Sequence, residues 1–218
     1  MIKQAALGVC FLSLPLAGLA GHLEPALDLP SADVTAGKEK SKACAACHGV
    51  DGNSTNPAYP SLAGQAPGYI AGEISMFKSG KRKNDIMAGM VAGLSEQDWS
   101  DLDAYYASQD LKPGAAAEEE KALVIRGQRL YRGGYAPLQV AACIGCHGPR
   151  GRGIPRRYPR VAGQKQQYLE TQLLAFKGSY ETPESGVRKS YGDIMTRIAF
   201  LLSDRQIKEV SAYMHALQ

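Results

Sequence analysis

Two short cysteine–histidine motifs are the residues of this chain best suited to chemistry. They are Cys44-Ala45-Ala46-Cys47-His48 and Cys143-Ile144-Gly145-Cys146-His147. Two thiols three residues apart, followed directly by an imidazole, are typical of c-type haem attachment. The thiols can bond the two vinyl groups of one porphyrin while the histidine coordinates its iron. The sequence therefore predicts two covalently attached haem c groups, with His48 and His147 as iron ligands.

A zinc site and a thiol redox site are the alternatives for these cysteines. Zinc ribbons usually place two Cys-x-x-Cys pairs about 15–20 residues apart, whereas Cys44 and Cys143 are separated by 99 positions. A thioredoxin-like site needs one pair only and assigns no role to a following histidine. Two copies with matching flanks therefore favour haem.

The fifth cysteine, Cys10, lies in an apolar run, Ala5–Ala20, that follows Lys3. This layout is typical of a secretory signal peptide, and 16 residues fall short of the roughly 20 that span a bilayer as a helix. We therefore expect residues 1–20 to be a signal peptide that directs the protein to the periplasm. A retained anchor, giving a membrane-attached form, is the alternative.

Equal spacing on either side of the motifs indicates an internal duplication. Tyr59–Gln65 is repeated 99 positions later as Tyr158–Gln164, and the apolar positions of the following helix are repeated with it. A period of this length indicates a repeated domain. The predicted organisation is a lead-in over 21–32, an N-terminal domain over 33–112, a linker over 113–120 and a C-terminal domain over 121–218.

Local patterns predict the elements around each motif. Composition predicts a helix over Thr35–Ala46 that runs into the first motif, with Asp33 or Thr35 as its N-cap. Nine extra residues in the second copy fall within 178–191, where the composition predicts a surface loop. Ser95 with Asp98, and Ser203 with Gln206, predict a capping box at the start of each domain's last helix.

The duplication also selects a second iron ligand. After the insertion, Met87 and Met195 occupy equivalent positions, each preceded by Asp-Ile and followed seven residues later by Leu-Ser. The rival Met90 aligns with Ile198, so we expect Met90 to pack in the protein instead. Histidine–methionine ligation closes the coordination sphere and raises the reduction potential. The expected chemistry is outer-sphere electron transfer rather than catalysis.

Charge is distributed unevenly between the halves. Residues 31–112 have a net charge of −2 and residues 113–218 a net charge of +7. Five arginines follow the second motif closely and are predicted to border that haem and dock an acidic partner: Arg150, Arg152, Arg156, Arg157 and Arg160. A generally solvated basic surface is the alternative. No nucleic-acid motif accompanies them, so no nucleic-acid partner is expected.

The chain resembles the cytochrome c4 family of two-haem class I cytochromes. The resemblance covers about residues 33–218 and is carried by the segments 44–54 and 59–65, the Leu-Ser start of each last helix, and Tyr131–Gly134. It implies an all-α fold of two tandem class I cytochrome c domains. It also implies that the carbonyls of Pro60 and Pro159 hold Nδ1 of His48 and His147. A further implication is that Gly37 and Gly127 lie where first and last helices cross.

The same resemblance implies redox protein partners. The protein would carry electrons from a quinol-oxidising cytochrome bc complex to a terminal cytochrome oxidase. An alternative is the cytochrome subunit of a dehydrogenase, such as flavocytochrome c sulfide dehydrogenase. A two-haem thiosulfate dehydrogenase or peroxidase is a weaker alternative, because the first uses a cysteine ligand to iron and the second needs an open iron position.

Overall fold

The computed structural model of the protein describes residues 27–112, 114–115, 117–181 and 192–218. The predicted signal segment and Cys10 lie outside these residues. The described part of the chain is helical and contains no β-strand. Its helices are α1 Val34–Ser41, α2 Ala45–His48, α3 Tyr69–Lys78, α4 Asp85–Val91, α5 Glu96–Ala107, α6 Lys121–Gly133, α7 Ile144–His147, α8 Gln166–Glu181, α9 Gly192–Phe200 and α10 Asp204–Ala216. The prediction of an all-α fold is confirmed.

A close helix crossing organises each half. In the first half α1 crosses α5, and a Cβ built on Gly37 would lie 2.0 Å from the carbonyl oxygen of Asp101. In the second half α6 crosses α10, where a Cβ on Gly127 would lie 1.9 Å from the carbonyl oxygen of Glu209. Only glycine allows the backbones to approach this closely. The predicted location of both glycines is confirmed.

A buried core lies behind each crossing. Trp99, Leu102 and Tyr106 form the buried face of α5 and pack with α3, and Ile207 and Val210 do the same in α10 with α8. These faces are the ones that helical periodicity predicts. The two cores repeat the same arrangement, as expected for duplicated domains.

Both predicted capping boxes are present. Ser95 accepts the Asp98 N–H, and Asp98 accepts from the backbone N–H of Ser95. Ser203 and Gln206 form the same pair of hydrogen bonds in the second half. The two capping boxes therefore share the same hydrogen bonds and differ in charge, because the first uses Asp98 and the second uses Gln206.

Two predicted element boundaries are wrong. The first helix ends at Ser41, because the N–H groups of Lys42, Ala43 and Cys44 bond to carbonyls three residues back. These bonds tighten the chain into a 3₁₀-like turn before α2 begins. In the second half α8 continues to Glu181, so residues 178–181 are helical and not a loop. The rest of that predicted loop, 182–191, lies outside the described residues.

Candidate haem-binding sites

One helical turn presents all three reactive side chains of each motif. In the first copy the His48 N–H donates to the Cys44 carbonyl at 3.0 Å, and α2 begins at the next residue, Ala45. In the second copy His147 bonds to Cys143 in the same way at 2.9 Å. Positions i, i+3 and i+4 of a helix lie on one face. Each turn therefore directs two thiols and an imidazole to the same side.

Each histidine is held through one ring nitrogen. His48 Nδ1 donates to the Pro60 carbonyl at 2.9 Å, and His147 Nδ1 donates to the Pro159 carbonyl at 3.0 Å. Both rings are buried, and burial lowers the pKa of both imidazoles although the proline carbonyls act in the opposite direction. A neutral imidazole with Nδ1 occupied has Nε2 as its metal-binding atom.

Two of the four motif thiols, Cys44 and Cys143, lie in apolar surroundings that differ from those of a redox or zinc site. Burial raises the pKa of Cys44 and raises that of Cys143 to about 11. Redox and zinc-binding cysteines need the opposite, a stabilised thiolate. Within the described residues no group of three or more His, Cys, Asp or Glu side chains is arranged to hold a metal ion. None of the four motif cysteines is joined to another described cysteine by a disulfide.

The two predicted methionine ligands lie on equivalent helices. Met87 is in α4, where the Asn84 side chain caps the helix by accepting the Met87 N–H at 2.9 Å. Met195 is in α9. Both are partly buried against the core of their own half. Met90, which we expect to be a packing residue, lies on the same helix as Met87, and its side chain is 49% exposed.

One continuous cavity of about 960 Å³ brings these side chains together. Its wall contains every predicted haem ligand and attachment residue, and apolar side chains such as Ile74, Phe77, Leu173 and Phe176 surround them. An apolar wall with two thiols, a neutral imidazole and a thioether in each half suits a covalently held porphyrin with six-coordinate iron. The donor set present fits two haem groups.

The halves meet at this cavity through reciprocal glutamine contacts. Gln164 Oε1 accepts the Ser61 N–H at 2.8 Å while its Nε2 donates to the Ser61 carbonyl at 2.9 Å. Gln65 Oε1 accepts the Arg160 N–H at 2.5 Å while its Nε2 donates to the Arg160 carbonyl at 3.2 Å. Ser61 and Arg160 are equivalent positions of the repeat, as are the glutamines. The contact is therefore nearly symmetric.

A buried ion pair adds an asymmetric contact. Arg82 Nη1 pairs with Glu73, and both side chains are 9% exposed. Arg82 Nη2 crosses to the second half, where it donates to Tyr168 Oη at 3.0 Å and Gln172 Oε1 at 2.9 Å. The guanidinium also lies over the Phe77 ring, 4.4 Å from its centroid. One arginine thus ties together both halves at the cavity.

The five predicted docking arginines have different surroundings. Arg156, Arg157 and Arg160 line the cavity. Arg160 is half-buried in the contact between the halves, and the Arg156 N–H donates across it to the Pro67 carbonyl at 2.8 Å. Arg150 and Arg152 are exposed, as is Arg157. The set therefore combines residues of the internal contact with residues of the free surface.

Comparison with known proteins identifies the family. The cytochrome c sequence model matches residues 34–110 and 124–218. Cytochrome c4 of Pseudomonas aeruginosa is 39% identical over 209 residues, which cover 94% of this chain and 95% of that protein. The chain belongs to the cytochrome c4 family. As a cytochrome c4 relative with two attachment motifs, it carries two covalently bound haem c groups and is an electron carrier.

Two further comparisons agree with this assignment. The crystal structure of reduced recombinant cytochrome c4 from Pseudomonas stutzeri matches with a TM-score of 0.78 and 36% identity, covering 86% of this chain and all of that one. A protein of Stutzerimonas stutzeri named thiosulfate dehydrogenase electron acceptor is 36% identical over 176 residues, which cover 78% of this chain and 77% of that protein. The first match supports the cytochrome c4 fold, and the second protein is named for accepting electrons from a thiosulfate dehydrogenase.

Three residues at the site had no predicted role. Gln65 and Gln164 are the last residues of the repeated segments Tyr59–Gln65 and Tyr158–Gln164, so the sequence shows that they are equivalent. It does not show that each side chain contacts the other half. Arg82 lies where the two copies lose register, and the repeat gives it no counterpart.

Among the described helices, none combines the length and the apolar composition that a membrane span requires.

Proposed function

We propose that each half holds its haem with its own residues. Cys44 and Cys47 attach the first haem, and His48 and Met87 bind its iron. Four equivalent residues serve the second haem: Cys143, Cys146, His147 and Met195. The observation that carries this assignment is the repetition of one donor set around a single apolar cavity.

The protein's own contribution is to hold these ligands and to exclude water. Bound haem supplies an iron that takes up and releases one electron. The Pro60 and Pro159 carbonyls orient the imidazoles, and the Asn84 cap of α4 positions the Met87 thioether. Because two protein ligands are assigned to each iron, no position is left for a substrate. Little rearrangement accompanies electron transfer, as suits a carrier.

The proposed partners are other redox proteins. The main proposal is transfer from a quinol-oxidising cytochrome bc complex to a terminal cytochrome oxidase. A second candidate is acceptance of electrons from a thiosulfate dehydrogenase, which the name of the Stutzerimonas stutzeri relative favours. The exposed arginines near the second motif support docking to an acidic surface in either case.

The proposed location is the periplasm, because attachment of haem to this motif and the apolar segment Ala5–Ala20 both suit an exported protein. The boundaries 33–112 and 121–218 are proposed for the two domains, joined by the linker 113–120. Mass spectrometry of the purified protein tests whether the N-terminal segment is cleaved. A mature chain lacks the mass of residues 1–20, and a chain with a retained anchor keeps it.

A redox titration followed by absorption spectroscopy, with haem quantification, tests the function. We expect two haems per chain, a methionine-to-iron charge-transfer absorption from both oxidised haems, and no rapid binding of carbon monoxide to the reduced native protein. One haem per chain, or rapid carbon monoxide binding at either haem, would overturn the proposal. Mixing the reduced protein with each candidate partner then separates the two electron-transfer routes.

A further inference from the structure

The glutamine contacts between the halves end on the same peptide groups that hold the axial histidines. The carbonyl of Pro60 and the N–H of Ser61 belong to one peptide group. Its oxygen accepts from His48 Nδ1 at 2.9 Å, and its N–H donates to Gln164 Oε1 at 2.8 Å. One planar unit therefore connects the first motif's histidine to a side chain of the opposite half.

The second half repeats this connection in the opposite direction. The peptide group between Pro159 and Arg160 accepts from His147 Nδ1 at 3.0 Å and donates to Gln65 Oε1 at 2.5 Å. Each glutamine is buried, with 7% of Gln65 and 6% of Gln164 exposed. Neither connection runs within one half alone.

The orientation of each glutamine amide is determined by its partners. Gln164 Oε1 also accepts the Lys165 N–H at 2.9 Å, and Gln65 Oε1 also accepts the Ala66 N–H at 2.8 Å. Because each Oε1 faces two N–H donors, the reversed amide would place donor against donor. The acceptor of each glutamine is thereby directed at a backbone N–H of the opposite half.

Hydrogen bonds in a chain polarise one another. A peptide group that donates its N–H carries more negative charge on its carbonyl oxygen and accepts a stronger bond from Nδ1. An imidazole whose Nδ1 proton is held more strongly is a better donor through Nε2, which favours the higher oxidation state of a bound iron. Loss of the glutamine should therefore raise the reduction potential.

We infer that Gln164 tunes the iron ligand His48 and Gln65 tunes the iron ligand His147, each across the contact between the halves. Both glutamines are positioning residues that act through a peptide group. The inference rests on the proposed ligation of iron by the two histidines. It follows that the contact between the halves affects the reduction potentials of both haems. Each half lowers the reduction potential of the haem in the other half.

The test compares two matched variants of the full-length holoprotein, Gln164→Leu and Gln65→Leu. Gln164→Leu should raise the midpoint potential of the first haem and leave the second in place. It should also shift the His48 Nδ1 proton resonance of the reduced protein upfield. Gln65→Leu should produce the same changes at the second haem and His147. Tyr168→Phe, which removes a different hydrogen bond between the halves, should leave both Nδ1 resonances in place.

General loosening of the contact would act on both haems alike. Equal shifts in both potentials, or no shift in either variant, would overturn the inference. If Gln164→Leu does not accumulate with two haems, Gln164→Met offers an unbranched apolar side chain of similar length. Failure of the proposed function is separate, because it would appear in the unaltered protein as missing haem or missing histidine–methionine absorption.

Discussion

Gly127 of α6 lies directly against the backbone of α10 at Glu209, leaving 1.9 Å between a built Cβ and the Glu209 carbonyl oxygen. A Cβ there would also lie 2.8 Å from Cβ of Tyr213. Both obstacles are parts of a helix that cannot rotate away. The first half repeats this relationship at Gly37 and Asp101, so the same close approach supports both haem-binding cores.

Gly127→Ala should lower the free energy of unfolding by about 2–3 kcal/mol, since the added methyl forces the helices apart. Chemical denaturation measures this loss. Gly178→Ala is the matched control, because Gly178 is also helical and a Cβ there meets nothing within 4 Å. That change should be neutral or stabilising by up to about 1 kcal/mol. Equal effects at both glycines would contradict the role of the crossing.

Met87→Ala should open one iron to external ligands if Met87 is the ligand. The reduced variant should then bind carbon monoxide at one haem per chain, as measured by absorption difference spectra. Met90→Ala is the control, because Met90 also lines the cavity and is the rival methionine of the same helix. Carbon monoxide binding by Met90→Ala and not by Met87→Ala would transfer the ligand role to Met90.

Glu73→Ala should destabilise the protein by about 3–5 kcal/mol, because it breaks the buried ion pair between Glu73 and Arg82. Chemical denaturation of the holoprotein provides the measurement. Glu118→Ala is the control, because Glu118 pairs with Lys121 at 2.5 Å and both side chains are exposed. An exposed pair contributes about 1 kcal/mol or less. A similar small loss in both variants would show that the contact at Arg82 contributes little to stability.

Acid should weaken the first half through Asp98. The Lys40 ammonium and the Ser95 cap lower the Asp98 pKa to about 2 from its usual 3.8. Because the folded pKa is the lower one, the stabilisation is complete above about pH 4 and is lost as the pH falls towards 2. The second half has Gln206 at this position, which does not titrate in this range.

Asp98→Asn should therefore lower the unfolding free energy by about 1 kcal/mol near neutral pH. The difference from the unaltered protein should vanish near pH 2. Gln206→Ala, which removes the uncharged side chain at the equivalent cap of the second half, should lower the unfolding free energy by an amount that stays the same over this pH range. A constant difference for Asp98→Asn between pH 5 and pH 2 would show that the Asp98 charge is not what stabilises the cap.

Arg157→Gln should slow oxidation of the reduced protein by hexacyanoferrate(III). Arg157 is exposed and lines the cavity, so it attracts the anion to the place where we expect the second haem. The rate constant should fall about twofold to fivefold at low ionic strength. In high salt the attraction is screened, so the variant and the unaltered protein should react at nearly the same rate. Arg129→Gln on α6 makes the same charge change outside the cavity lining. Equal slowing in both variants would contradict this role of Arg157 and show only the effect of removing one positive charge from the protein.

Local spacing determined much of this protein. The Cys-x-x-Cys-His turns and the capping boxes depend on residues a few positions apart, and the duplication indicated two domains and favoured Met87 and Met195 as ligands. The all-α fold and the crossing glycines were implied by the resemblance to the cytochrome c4 family. The first helix was predicted too long, because composition does not reveal where 3₁₀-type hydrogen bonds replace α-helical ones.

Only the tertiary structure placed the glutamines and Arg82. Gln164 reaches Ser61 across 103 positions and Gln65 reaches Arg160 across 95, and Arg82 meets Gln172 across 90. A buried amide or guanidinium must find partners wherever the packed chain provides them. Those partners are backbone groups or polar side chains of the other half. The sequence determined which atoms could hold each haem, and packing decided which half orients the peptide behind each histidine.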